Sequence, residues 1–108
     1  MALTVTLGNL RDDEGGRLLP DPEALVVRLC TSVRELDAPG KDYALLRGLD
    51  PHTETVLNWL QVRTLHEEVL RAANQFGLAD QAKDVVAELW EWRQASIDFT
   101  WIVRVLGD

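Results

Sequence analysis

Leu3, Val5 and Leu7 alternate with Thr4, Thr6 and Gly8, the two-residue period of a strand with one face buried, and predict a strand over residues 3–8. A different period takes over further on. Leu25, Val26, Leu29, Cys30, Val33 and Leu36 recur at three and four, which gathers them on one helical face, with Arg28, Arg34 and Glu35 on the other. Asp21-Pro22-Glu23 opens this helix with a side chain able to cap free amides, a proline where no amide is needed, and an acid at the positive pole. The predicted helix covers 22–36 and is stopped by Asp37-Ala38-Pro39-Gly40. Between strand and helix, residues 11–17 join like charges to two glycines and read as a loop or hairpin turn; the alternating oxygen ligands of a calcium loop are missing.

Residues 43–49 are too short for a period to decide between strand and short helix. Asp50-Pro51 repeats the start signal and announces the longest helix, reaching Phe76 before Gly77. Trp59, Val62, His66, Val69, Ala73 and Phe76 form its stripe, broadened by Val56, Leu65 and Leu70. Gly77-Leu78-Ala79-Asp80 then turns the chain into a third helix capped by Asp80, with Ala82, Val85, Val86, Leu89 and Trp90 inward, so that the last two helices form an antiparallel hairpin. Ile97, Phe99, Trp101, Val103 and Val105 alternate with Asp98, Thr100 and Arg104, and their β-branched and aromatic character favours a strand over 97–106. Val85, Leu89, Trp92, Ser96, Phe99, Val103 and Leu106 also keep heptad spacing, the alternative being a continued helix. The expectation is a mainly helical α+β fold, three helices on a small sheet formed by the terminal strands. The alternative is an all-α bundle with an N-terminal β-hairpin.

Composition narrows the function. A chain of 108 residues, 46% of them apolar, is expected to form one domain over 1–108 without metal or disulfide staples. Eighteen acids against eleven basic residues leave a net charge of −7, which disfavours a surface for nucleic acid or anionic lipid. No apolar run reaches membrane-spanning length and residues 1–10 lack a basic, then apolar leader, so a cytoplasmic protein is expected. Cys30 is the only cysteine and sits among Val26, Leu29 and Val33, a small buried hydrophobe. Ser32 and Ser96 lie in no nucleophile turn, and no phosphate or dinucleotide loop is present, so no cofactor is implied. His52 in the first turn of the second helix and His66 some four turns on are too far apart to share an ion; His66 reads as a packed core histidine.

Acids on the predicted hairpin carry the most chemical signal. Glu67 and Glu68 stand on its first helix, with Asp80, Asp84, Glu88 and Glu91 along its second. The segments His66-Glu67-Glu68-Val69-Leu70-Arg71 and Lys83-Asp84-Val85-Val86-Ala87-Glu88-Leu89-Trp90 resemble the all-helical MazG-type nucleotide pyrophosphohydrolases over about a quarter of the chain. That resemblance implies a magnesium site at Glu67, Glu68, Asp84 and Glu88 for hydrolysis of a nucleotide phosphate. The family pattern has two acids three apart on the first helix, and here Leu70 and Arg71 stand where the second belongs. The same acids with Lys83 equally describe a solvated helix face.

Trp90-Glu91-Trp92 sets two indoles about 200° apart around a helix, so one of them is expected at the surface unless the C-terminal segment folds over Trp92. An exposed Trp92 ringed by Glu88, Glu91 and nearby Asp98 matches the anchor and rim of a protein interface, with Trp92, Glu88 and Glu91 expected to make the contact and Asp84 at its margin. The expectation is a non-enzymatic acidic interaction domain of the inhibitor, immunity-protein or antitoxin type, blocking a basic protein surface. A homodimeric structural protein is the other alternative.

Overall fold

The computed structural model describes residues 3–36, 43–50 and 52–107. In chain order these form β1 (Leu3–Asn9), β2 (Asp12–Leu18), α1 (Leu25–Arg34), α2 (Ala44–Gly48), β3 (Glu54–Asn58), α3 (Trp59–Gln75), α4 (Lys83–Ala95) and β4 (Trp101–Gly107). The strands make one sheet in the order β2-β1-β4-β3, with every neighbouring pair antiparallel. The architecture is α+β, and the all-α alternative does not hold. The two terminal strands pair as expected, Leu3 facing Gly107 and Asn9 facing Trp101, but they form the middle of a four-stranded sheet. Alternation sends Val5, Leu7, Leu57, Val103 and Val105 into one core with Leu29, Val33, Leu46, Val62, Val69 and Leu89 from the helices. Among the described residues no helix covers the other face of the sheet: Thr4, Leu18, Val56, Arg104 and Leu106 are exposed there.

Several predicted boundaries move, each for a local reason. The turn expected over 11–17 is largely strand β2. The chain reverses at Leu10-Arg11 instead, where the Arg11 amide donates to Asn9 Oδ1 at 2.8 Å. An edge strand on a sheet with one open face needs few apolar side chains, so β2 carries no alternation to detect. Helix α1 starts at Leu25, three residues late, because Ala24 takes a left-handed conformation (φ 51°). Asp21 still caps it, its two oxygens accepting from the Leu25 and Val26 amides at 2.6 and 2.9 Å. The stop signal at residues 37–40 and Pro51 lie outside the described residues.

The segment left open at 43–49 is the short helix α2. The long helix expected from residue 51 is in fact β3 followed by α3. Thr53, Thr55 and Val56 are β-branched and favour extended backbone, and the helix start is a capping box at Asn58. There Asn58 Oδ1 accepts from the Leu60 and Gln61 amides at 3.0 and 2.9 Å, and Gln61 Oε1 accepts from the Asn58 amide at 2.9 Å. His52 accordingly precedes a strand. Helix α3 ends at Gly77 in the left-handed region (φ 71°), and α4 returns beside it. Asp80 does not cap α4: Ala82 holds the cap position without a side-chain bond. Strand β4 begins at Trp101, not at residue 97, because Asp98 Oδ1 accepts from the Thr100 amide at 2.9 Å and from its hydroxyl and turns the chain. That pair of bonds holds the Asp98 carboxyl below its ordinary pKa. Cys30 is buried as expected, and burial pushes its thiol up to about 11.

Candidate interaction surface

The proposed anchor, Trp92, is not at the surface. It is fully buried, its indole N–H donating to Glu88 Oε1 at 2.8 Å. It shares the stripe of Val85 and Leu89, seven and three positions before it, while Trp90 lies the other side of the helix and is 46% exposed. The sequence separated the two indoles correctly and assigned them the wrong way round. Trp90 packs on His66 of α3 with ring centroids 5.5 Å apart, and the Arg93 guanidinium lies 5.3 Å from the centre of the Trp90 indole ring. Arg93 Nη1 donates to His66 Nδ1 at 3.3 Å and approaches Glu67 at 3.6 Å, a carboxylate that Arg63 also meets at 3.6 Å. An arginine has no acceptor, so the bond requires Nδ1 of a neutral imidazole. Burial, and then the Arg93 charge, lower the pKa of His66 against a smaller opposing pull from Glu67.

The carboxylates that the nucleotide-hydrolase resemblance would gather are dispersed. Glu68 is buried and accepts from the Leu45 and Leu46 amides at 3.2 and 3.0 Å, closing the start of α2 from a distant helix. Glu67 serves Arg63 and Arg93. Glu88 takes Arg17 of β2 at 2.5 Å as well as the Trp92 indole. Asp84 is exposed. Among the described residues no group of three or more His, Cys, Asp or Glu side chains is placed to hold a metal ion. A magnesium cage at these four positions is therefore not formed.

Acids do converge elsewhere. Where the chain leaves β2 toward α1 it passes the start of α4, and Asp21, Glu23, Asp80 and Asp84 line an open groove of about 450 Å³ with Gln81 and Val85. Asp21 is committed to capping. Among the described residues no cation pairs with Glu23, Asp80, Asp84 or the exposed Glu91. The missing cap on α4 explains part of this, since it leaves the Asp80 side chain free. Only Asp84 belonged to the site expected from sequence; Asp21 and Glu23 were read as helix-start residues, and the approach of two distant segments has no sequence signal.

The opposite end of the molecule is apolar. Leu10, Leu60, Ile97 and Phe99 are 57%, 60%, 73% and 68% exposed, and the Leu10 amide donates to Thr100 O at 2.7 Å, which seats the β1–β2 turn beside the loop holding Ile97 and Phe99. No described helix is long and apolar enough to cross a membrane. The chain matches no family model, and no similar curated protein or solved structure is found.

Proposed function

We infer that this protein is a non-enzymatic cytoplasmic domain that works by protein contact, as an inhibitor, immunity protein or antitoxin does, with its acidic end set against a basic surface of a partner protein. The observation that carries this reading is the groove lined by Asp21, Glu23, Asp80 and Asp84, none of whose carboxylates pairs with a cation among the described residues, Asp21 alone being held by backbone amides. Uncompensated like charges repel one another in the free protein and are relieved when a basic surface covers them, which favours encounter with such partners and speeds it. The contact residues shift accordingly. Asp84 and Glu91 remain, Asp80 and Glu23 join them, Glu88 contributes at the edge while tied to Arg17, and Trp92 acts only by holding α4 in place.

Affinity capture with the immobilised protein, followed by titration of the purified captured partner, tests this reading. The expected result is a basic protein whose affinity weakens with salt and drops at least tenfold for the Asp80→Lys, Asp84→Lys double variant. Equal affinity for wild type and double variant, once both are shown to be folded, removes the acidic end as the contact surface.

A further inference from the structure

Strand β3 is an edge of the sheet, and its backbone polarity is fixed by the ladder. The Gly107 amide donates to Thr53 O at 3.3 Å, and the register pairs Thr55 with Val105 and Leu57 with Val103. Antiparallel pairing alternates bonded and non-bonded positions. Thr53, Thr55 and Leu57 thus turn their backbone groups toward β4, and Glu54, Val56 and Asn58 turn theirs outward. The outward Asn58 amide is already taken by Gln61 Oε1. The N–H and C=O of Glu54 and Val56 remain, and among the described residues no strand pairs with them.

We propose that this edge is a homodimer interface, with β3 pairing antiparallel to β3 of a second copy about a twofold axis at Thr55. In that register Glu54 faces Val56 of the partner subunit and Val56 faces Glu54 of the partner subunit. Each pair exchanges two hydrogen bonds, so every free group of the edge meets its complement and none is left over. The self-complementarity is what selects a second copy as the occupant. On the inner face Thr55 meets Thr55 of the partner subunit, a favourable cross-strand pair. The space for it exists: a groove of about 450 Å³ runs beneath this edge, lined by Thr55, Leu57, Leu45, Leu49 and Thr64. Charge points the same way. The chain carries a net −7, yet the only charge on β3, Glu54, has Arg104 at 3.6 Å, so two copies meet here without net repulsion.

This proposal is independent of the acidic end and is tested by molar mass. Light scattering from micromolar to millimolar protein is expected to show the mass doubling with concentration. Val56→Pro deletes an outward N–H that takes no part in pairing with β4, so the chain folds and stays monomeric. Thr55→Lys and Thr55→Glu place like charges across the axis and are each expected to be monomeric, while their mixture dimerises. A wild type monomeric at every concentration overturns the proposal. So does a dimer that survives both Val56→Pro and Thr55→Lys, since it uses another surface.

Discussion

His66 is held neutral by its neighbours. Its Nδ1 accepts from Arg93, Trp90 covers one side, and both burial and the Arg93 charge oppose a proton on the ring. The folded-state pKa therefore lies below the unfolded value of about 6.5. Above that value the ring is neutral in both states and stability is at its full level. As pH falls through it, the unfolded chain takes up a proton that the folded chain refuses, and stability declines until the folded pKa is passed. Urea unfolding is expected to show wild type losing more stability than His66→Gln between about pH 7.5 and about pH 5.5, a window above most carboxylate titration. Equal losses mean that His66 has the same affinity for protons in both states. The packed character of this histidine was legible because it lies on the apolar stripe of its helix. The fate of Trp92 was not, since both indoles of Trp90-Glu91-Trp92 sit beside apolar positions and only the rotation of α4 against α3 decides which is covered.

At the scale of elements, periodicity was reliable wherever an element buries one face. Strand β1, strand β4 from Trp101 on, the stripe of α1 and the Val62, His66, Val69 and Ala73 stripe of α3 fall where their patterns put them, while Val56 and Leu70, expected on that last stripe, are exposed. Boundaries failed where the governing interaction is a side-chain cap. Asp50-Pro51 and Asn58-x-x-Gln61 are both start signals, and the chain uses the second because Thr53, Thr55 and Val56 resist helix and extend into the sheet. Asn58→Ala removes the acceptor for two amides and is expected to cost about 1 kcal/mol of stability, read as a lower urea midpoint with an unchanged slope. Restoring the cap with Asn58→Asp should recover most of it. An unchanged midpoint in the alanine variant means that water satisfies the Leu60 and Gln61 amides just as well. Edge strands β2 and β3 were missed for a related reason. An outer strand owes its place to backbone pairing with a neighbour, and backbone pairing leaves no mark on side-chain hydrophobicity.

Across the whole molecule the two ends differ in kind. Net charge was legible from composition, but its placement depends on the chain leaving β2 beside the start of α4, which puts Asp21 and Glu23 next to Asp80 and Asp84. The sheet and hairpin carry Leu10, Leu60, Ile97 and Phe99 to the far end. Acids gathered without cations repel, and exposed repulsion is screened within a Debye length of about 8 Å at physiological salt. Added sodium chloride is therefore expected to raise the melting temperature of the wild type. Asp80→Lys, Asp84→Lys should melt a few degrees higher than wild type at low ionic strength, with the gap closing as salt increases. A double variant that melts lower at every salt concentration shows that these two acids make stabilising contacts. A double variant that melts higher at low salt and also loses the captured partner would mark the acidic end as a surface shaped by what it meets and not by the fold that carries it.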